Sequence, residues 1–539
     1  MKKLLIALIV LAVLFCGCDF DAFIATLPDI YAPTSPAPTN PPPSGQPPVD
    51  PDDCGNHKDE DDDGYCDSCY AHIIVDVDLY SINDLHGKLA DGGSTHPGVD
   101  ELTTYLKNAQ AANKNTILLS AGDMWQGAAE SNLTNGKIIT EWMNDLNFAS
   151  MTLGNHEYDW GSEQIRNNNE IADFPFLAIN VYDKQTNKRV DYCEASVVVE
   201  ASGVQIGIIG AIGDCYSSIA VDKCRDVSFK TGPALTALVK EESNRLRAQG
   251  VDFIVYVIHD GYDNTIGGST TVSDAYLYSD TNYNKVYYDT ALSNGYVDLV
   301  FEGHTHQGYN FTDKYGVRHL QNRGDNKGGI SHIKVTIDAV TNTFTVEEAG
   351  QISQTKYQNL SDDAVVADLL KKYENEIAKA YEVLGTNKTN RNSSYLCQLA
   401  ADLYRQFGEE KWGEDYGIVL GGGFLKARSP YNIYAGSVTY GDVYDIFPFD
   451  NDMTLCSIKG SDLLSKFIDT TNSNYYIDYT AYGESIKSSI EANNTYYVVV
   501  DSYTAYYAYN KLTVVETYDE KVFARDLIAQ YIREGGLAK

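Results

Sequence analysis

The sequence predicts an α/β protein with two sizeable cores. Four runs rich in β-branched residues have the length and composition of buried strands. They are residues 73–80, 117–119, 253–258 and 297–301. Apolar residues spaced by three and four predict a helix over 361–384, with Ser361 as its cap, and another amphipathic helix over 394–404. The chain has 539 residues, enough for two folded domains once residues 1–70 are set aside.

Short polar segments follow the strand runs, where open α/β sheets bind their ligands. These segments are 83–87, 122–127, 154–157, 257–260 and 303–306, and they contain five of the ten histidines. A lone histidine in a loop is usually structural, and a lone aspartate after a strand is usually a cap or turn. A set of them in several loops predicts one shared site.

The residue types in these segments suit a pair of divalent ions. Two ions about 3.5–4 Å apart can clamp a phosphoryl group, polarise it and lower the pKa of a bound water. Such a pair needs one bridging carboxylate and a mixed shell of oxygen and nitrogen ligands. That shell suits Zn²⁺, Mn²⁺, Co²⁺ or Fe²⁺ better than Ca²⁺.

Four of the segments read Asn-Asp-Leu-His-Gly (83–87), Gly-Asp-Met-Trp-Gln-Gly (122–127), Gly-Asn-His-Glu (154–157) and Gly-His-Thr-His (303–306). They resemble the calcineurin-like metallophosphoesterases, specifically the bacterial 5′-nucleotidase and UDP-sugar hydrolase family. The resemblance extends over nearly everything after residue 71. It implies a four-layer β-sandwich flanked by helices, joined by a helix to a second mixed α/β domain.

The resemblance also implies the roles of individual residues. By this resemblance, the metal ligands would be Asp84, His86 and His306 for one ion and Asn155, His259 and His304 for the other, and Asp123 would bridge the two ions. The catalytic dyad would be His156, which stabilises or protonates the transition state, and Asp159, which orients the imidazole. Taken singly, Asp159 and Gln126 would also fit a turn or packing role.

The second domain has a family-like segment at Phe449 and Asn451. In the resembled enzymes these residues stack on and hydrogen-bond the nucleobase, whereas a core position is the plain alternative for Phe449. This sequence departs from the family's pattern at two places in the second domain. The family's Asn-Gly-Gly-Gly and nearby Arg are replaced by 420–428, where the cation is Lys426 or Arg428. Tyr503 stands in a Tyr-rich stretch that lacks the ribose-binding Asp, and it would form the second face of a base sandwich.

The net charge of −34 argues against binding to nucleic-acid polymers or anionic membranes. It also repels a phosphate substrate, so the metals and local Lys or Arg residues would have to invert the field at the site. Solubility of an exported protein is the simplest explanation of the charge.

The first 18 residues resemble a lipoprotein signal peptide. Lys2 and Lys3 precede an apolar run over 4–15, which is too short to span a membrane. Residues 15–18 resemble a lipobox in which Cys18 would be lipidated, with ordinary secretion as the alternative. The expected location is therefore the outer face of a bacterial membrane, through a lipid anchor only, or the medium.

Residues 19–53 are rich in proline and predict an extended spacer. An acidic segment with three cysteines follows over 54–70. It fits a solvated linker, a calcium loop over 59–67, or a zinc site formed by its cysteines and His57. Cys215 and Cys224 are close enough in sequence to close a small disulfide loop.

The predicted domains are a metallophosphoesterase domain over 71–352, a linker helix within 353–384 and a substrate-binding domain over 385–539. The resemblance predicts an extracellular 5′-nucleotidase that releases phosphate from nucleotides by attack of a metal-activated hydroxide. Alternatives are a UDP-sugar hydrolase or a 2′,3′-cyclic nucleotide phosphodiesterase. A surface binding protein without catalysis is the rival class, since 41 tyrosines suit sugar and protein contacts.

Overall fold

The computed structural model describes most of the chain after residue 73. The described residues are 74–91, 98–261, 296–313, 316–324, 329–338, 343–428, 430–468, 486–508 and 511–538. They all belong to one compact unit, His72–Lys539. The predicted signal peptide, proline-rich spacer and acidic cysteine segment lie outside the described residues. Over the described ranges, no helix is both long and apolar enough to cross a membrane.

Two six-stranded sheets form the amino-terminal part. The strands of the first sheet are β1 Ile74–Ile82, β2 Thr116–Ser120, β3 Ser150–Thr152, β4 Phe176–Leu177, β13 Gly329–Asp338 and β14 Thr343–Ser353. Those of the second sheet are β6 Ser196–Ala201, β7 Val204–Ile212, β9 Phe253–His259, β10 Leu299–Glu302, β11 Tyr309–Thr312 and β12 Arg318–Gln321. The first sheet has the order β14-β13-β1-β2-β3-β4, and the second has the order β11-β12-β10-β9-β7-β6. The four predicted strand runs fall in β1, β2, β9 and β10.

The two sheets pack face to face because side chains alternate along each strand. Val77 and Leu79 of the first sheet share a buried cluster with Val255 and Val257 of the second. Tyr80 points the other way and packs under the helices Asp100–Ala112 and Lys137–Asp145. The helix Pro233–Ala248 covers the outer face of the second sheet. The result is the predicted four-layer β-sandwich flanked by helices.

The carboxyl-terminal part is a mixed α/β structure around a smaller sheet. That sheet has the order β16-β19-β18-β20, formed by Ile418–Gly421, Thr495–Asp501, Met453–Lys459 and Thr513–Thr517. The helix Ser393–Trp412 packs on one face, and Asn392 caps it by accepting a hydrogen bond from the Tyr395 N–H at 3.0 Å. The remaining strand pairs are β5 Val181–Asp183 with β8 Val227–Phe229, and β15 Val383–Asn387 with β17 Gly436–Thr439. Other helices are Ala129–Leu133, Ser162–Asn169, Tyr440–Ile446 and Ala524–Arg533.

The connection between the two parts corrects the predicted helix over 361–384. The helix begins later, at Ala364–Lys372, and its cap is Asp363 rather than Ser361. Asp363 accepts a hydrogen bond from the Val365 N–H at 3.0 Å, while the Ser361 carbonyl accepts one from the Thr104 hydroxyl. A second short helix, Glu374–Ile377, follows, and the chain then turns into β15. The prediction was wrong at both ends because tertiary partners, which local spacing does not reveal, fix the cap and the strand.

A buried histidine in the second sheet links stability to pH. His319 on β12 has no exposed surface, stacks on Phe311 at 4.8 Å between ring centroids and lies 3.2 Å from a Glu302 oxygen. Burial opposes its charge, but the carboxylates of Glu302 and Asp313 outweigh burial and raise the pKa of His319 from 6.5 to about 9.

We expect the stability that His319 confers to be complete below pH 6.5 and to be lost as the pH rises through about 9, because the folded state binds the proton more tightly. The difference is at most about 3 kcal/mol. Urea unfolding between pH 6 and pH 9.5 measures it, and His319→Gln should remove this part of the pH dependence. An unchanged slope in the variant would contradict the assignment.

Candidate metal centre

The predicted ligands lie on four loops and at the end of one strand, at one edge of the two sheets. Each loop follows the carboxyl end of β1, β2, β3 or β10, and His259 is the last residue of β9. The parallel strands of both sheets end at this edge, so the sandwich brings the loops together. Asp84, Asp123, Asn155 and His259 are each at most 2% exposed.

Backbone conformation distinguishes these loops from the rest of the described chain. Ten described residues other than glycine have positive φ, and half of them are predicted ligands. They are Asp84 (52°), His86 (51°), Asp123 (56°), His304 (71°) and His306 (53°). Such conformations cost free energy and persist only where surrounding contacts impose them, as at functional sites. Gly154 allows a close approach, since a Cβ there would lie 2.3 Å from an Asp123 oxygen.

The ligand atoms form two adjoining groups. One contains Asp84, His86 and His306, and another contains Asp84, Asp123 and His259, with all atoms of a group within 4.8 Å of one another. His306 Nε2 lies 3.2 Å from Asp84 Oδ1 and 3.2 Å from His86 Nε2. His259 Nε2 lies 3.0 Å from Asp123 Oδ2 and 3.2 Å from Asn155 Oδ1.

Hydrogen bonds fix the orientation of two of these imidazoles. His259 Nδ1 lies 2.6 Å from the Ala121 carbonyl and His86 Nδ1 lies 2.8 Å from the Gln126 carbonyl. A carbonyl only accepts, so Nδ1 donates and Nε2 of each ring faces the cluster. Burial and the neighbouring His306 lower the pKa of His86 to about 3, which keeps this ring neutral. The donors therefore fit divalent metal ions.

The two acids of the cluster remain ionised. Burial works against the charge of Asp84 and of Asp123, but the neighbouring imidazoles outweigh it. The His306 and His259 rings lead these contributions and hold both carboxyl pKa values below the ordinary range. Two buried carboxylates among imidazoles supply the negative charge that a pair of cations requires.

The predicted dyad lies beside this cluster. His156 Nδ1 is 2.9 Å from Asp159 Oδ2, and the His156 backbone N–H donates to Asp123 Oδ1 at 2.8 Å. Burial opposes a charge on His156, but Asp159 and Asp123 outweigh it and raise the pKa of His156. The ring lies edge-on to His86, with centroids 5.3 Å apart.

A cavity of about 1300 Å³, including its open mouth, adjoins the cluster. All five predicted substrate-binding residues line it, together with Gln126, the dyad and part of the ligand set. These five residues are Lys426, Arg428, Phe449, Asn451 and Tyr503. The structure thus brings residues far apart in sequence to one wall opposite the ligand loops.

The aromatic residues of this wall have partners within the protein. The Phe449 ring stacks on His156 at 5.6 Å and 27°, and the Arg428 guanidinium lies 4.9 Å from the Phe449 centroid. The Tyr503 ring lies 5.9 Å from that of Phe424. Phe449 therefore lies against the predicted dyad.

A largely buried ion pair joins the two parts of the molecule. Lys88 Nζ lies 3.2 Å from Asp445 Oδ2, with side chains 3% and 16% exposed. The other Asp445 oxygen accepts a hydrogen bond from the Ala129 N–H at 3.0 Å. Lys88 is two residues after the predicted ligand His86 and Asp445 is four residues before Phe449, so the pair connects the predicted ligand loop after β1 to the segment that carries Phe449.

Sequence reasoning missed several residues of this region. Trp160 and Lys223 line the cavity, and adjacency to Asp159 was the only sequence signal for Trp160. The Cys215 thiol donates to the His259 carbonyl, and with His259 and His304 it forms a third group of close ligand atoms. Cys215 and Cys224 are both free thiols, so the suggested disulfide between them is absent.

Comparison with known proteins gives two family matches. Residues 79–308 match the calcineurin-like phosphoesterase family, and residues 336–511 match the 5'-nucleotidase C-terminal domain family. Together they cover about three quarters of the chain.

Two relatives and one solved structure show how far the likeness extends. Endonuclease YhcR of Bacillus subtilis is 26% identical over 423 residues, which are 72% of this chain and 32% of that protein. Protein UshA of Yersinia enterocolitica is 25% identical over 461 residues, which are 78% of this chain and 80% of that protein. The chain thus spans about a third of the first relative. The 5'-nucleotidase precursor of Thermus thermophilus has a TM-score of 0.63 at 19% identity, over 85% of this chain and 96% of that one, and it shares the fold.

Proposed function

Because the chain belongs to the family of metal-dependent phosphoric ester hydrolases that joins a calcineurin-like phosphoesterase domain to a 5'-nucleotidase C-terminal domain, we propose that it is an exported 5'-nucleotidase. It would release phosphate from nucleotides with two divalent ions. The observation that supports this most is the convergence of the ligand groups and the aromatic, cationic wall on one cavity.

The ligands would divide between two ions around one shared carboxylate. Asp84, His86 and His306 would hold one ion, Asn155, His259 and His304 the other, and Asp123 both. Bound ions would polarise the phosphoryl group and lower the pKa of a water. A shell of imidazole, carboxylate and amide favours Zn²⁺, Mn²⁺, Co²⁺ or Fe²⁺.

The chain's own residues would handle the charge that develops during cleavage. His156 Nδ1 donates to the Asp159 carboxylate, so its Nε2 is the atom that would stabilise the equatorial oxygens or protonate the leaving oxygen. Asp159 fixes the ring and favours its charged form. The Asn155 amide adds a further polar group beside the phosphoryl position.

Local cations support an anionic substrate despite the acidic chain. Lys223, Lys426 and Arg428 line the cavity, whereas the whole chain has a net charge of −34. Phe449 and Tyr503 offer aromatic faces, and Asn451 offers an amide for a base edge. This combination favours a nucleotide over a simple phosphate ester.

We expect Phe449→Ala to raise the KM for AMP by about 10-fold, because a stacked base contributes about 1–3 kcal/mol. Hydrolysis of p-nitrophenyl phosphate, which has no base, should change far less. Steady-state kinetics on both substrates make the comparison, with Tyr506→Ala as the control, since Tyr506 is 60% exposed. An equal loss on both substrates would instead assign Phe449 to supporting His156.

A substrate panel tests the proposal directly. Phosphate release by the full-length protein would be measured from AMP, ATP, UDP-glucose, 2′,3′-cyclic AMP and bis(p-nitrophenyl) phosphate, with Mn²⁺, Zn²⁺ or EDTA and a coupled phosphatase where a diester or anhydride is cleaved. Metal-dependent release from AMP is the expected result. Activity confined to bis(p-nitrophenyl) phosphate would contradict nucleotide specificity. No phosphate release from any of these substrates would favour a surface binding protein.

The proposed location is the cell surface, through a lipid on Cys18. Labelled fatty acid should enter the wild-type protein in the cell and be lost in Cys18→Ala. Equal labelling of both, or none of either, would contradict the anchor.

A further inference from the structure

Glu157 is a fully buried carboxylate beside the predicted dyad, with no exposed surface. It lies in the short helical turn His156–Tyr158 that follows β3. Its side chain points away from the cavity and toward the backbone of the loop after β2. Neither the ligand set nor the dyad uses it.

Both oxygens of Glu157 accept hydrogen bonds from backbone N–H groups. Oε2 accepts from Asp123 at 2.9 Å and from Gly154 at 2.7 Å. Oε1 accepts from Met124 at 2.8 Å and from Trp125 at 3.4 Å. The carboxylate thus joins the loop after β2 to the loop after β3.

This arrangement explains the unusual backbone of Asp123. Its φ of 56° lies in the left-handed region, which turns the N–H groups of 123–125 toward one side. Successive N–H groups turned this way form a concave anion-binding site, and Glu157 fills it. The Asp123 carboxylate is then left facing His259 and the His156 N–H.

We propose that Glu157 is a positioning residue for the metal centre, which holds the Asp123 carboxylate between the two ligand groups. The proposal rests on the metal-dependent activity proposed above. Glu157 does not touch substrate, and it acts through Asp123.

The chemistry of these contacts distinguishes a positioning role of Glu157 from a packing role. Glutamine has the volume of glutamate, but one end of its amide is a donor, so whichever way it lies one pair of N–H groups loses its acceptor. Aspartate keeps both acceptor oxygens and is one methylene shorter. A positioning role therefore makes Glu157→Gln the more damaging change, whereas a packing role makes Glu157→Asp the more damaging one.

Co²⁺ binding to the full-length protein tests this order. Protein stripped with EDTA would be titrated with Co²⁺, followed by visible absorption and by counting bound metal. Wild type should bind two ions. Glu157→Gln should lower the affinity for at least one Co²⁺ ion by about 10–100-fold, the range for groups that orient a ligand. The Co²⁺ affinity of Glu157→Asp should lie between those of wild type and Glu157→Gln.

The matched control is Glu242→Gln, because Glu242 is 9% exposed and is bonded to Ser196 and Arg245 in a region away from the site. It should bind Co²⁺ as wild type does. The proposal is overturned if Glu157→Gln binds like wild type, or if Glu157→Asp is the weaker of the two. A wild type that binds no Co²⁺ would instead overturn the proposed function.

Circular dichroism of the metal-free proteins checks folding. If Glu157→Gln does not fold, Glu157→Asp decides the question. Weaker Co²⁺ binding with unchanged urea unfolding of the metal-free protein supports positioning. Lower metal-free stability with unchanged Co²⁺ binding overturns it.

Discussion

Replacing Asp123 by asparagine should reduce phosphate release by about 10⁴-fold or more, since each ion supplies several kcal/mol of transition-state stabilisation and 1.36 kcal/mol is a factor of ten. Asp123 is 1% exposed, and its Oδ2 lies 3.0 Å from His259 Nε2. It is the only one of the seven proposed ligands assigned to both ions. Asparagine keeps the shape and the bond from the His156 N–H but removes the shared charge.

Metal content of Asp123→Asn, measured together with phosphate release from AMP, decides the outcome. We expect bound metal to fall with activity while circular dichroism stays that of the wild type. Asp298→Asn is the matched control, since Asp298 bonds to Arg247 and to the Ile254 N–H near the amino end of β10, away from the centre. An Asp123→Asn protein with wild-type turnover would refute the shared-ligand role.

His156→Ala should have the second largest effect, with a different signature. We expect metal content to stay at the wild-type value and kcat to fall by about 10²–10⁴-fold, the range for one acid-base or electrostatic group. His156 touches the ligand set through its backbone N–H, which alanine retains. Its imidazole, held by Asp159 at 2.9 Å, is what the variant removes.

Asp159→Asn provides the comparison within the dyad. It keeps the size of the side chain but removes the charge beside His156, so we expect a smaller fall in kcat than in His156→Ala and no change in bound metal. Full activity in His156→Ala would exclude the dyad. Loss of metal together with activity would show that His156 supports the ligand loops rather than the reaction.

The sheet core and the order of the site loops were predictable from sequence for a simple physical reason. Strands buried on both faces are continuous apolar runs, so 253–258 stands out. Their polar successors could be located because parallel strands end at a common edge. Asp84, Asp123 and His259 therefore appear in the sequence as a set, and the structure brings them together.

Other features depend on contacts that the sequence does not encode locally. The cap at Asp363 rather than Ser361 accompanies contacts with the helix Asp100–Ala112, where Lys107 pairs with Asp363 and the Thr104 hydroxyl donates to the Ser361 carbonyl. Lys223 reaches the cavity through a turn whose position is fixed only in the fold. The role of Glu157 depends on the left-handed backbone of Asp123, which no residue type requires.

Metal counting on the full-length protein, paired with phosphate release from AMP, tests the central claim most directly. The protein would be stripped with EDTA, dialysed and then titrated with Mn²⁺ while both quantities are followed. The account predicts no phosphate release from the stripped protein and full recovery as two ions bind per chain. Phosphate release that persists after stripping, or a protein that binds no Mn²⁺ at its restored activity, would contradict it.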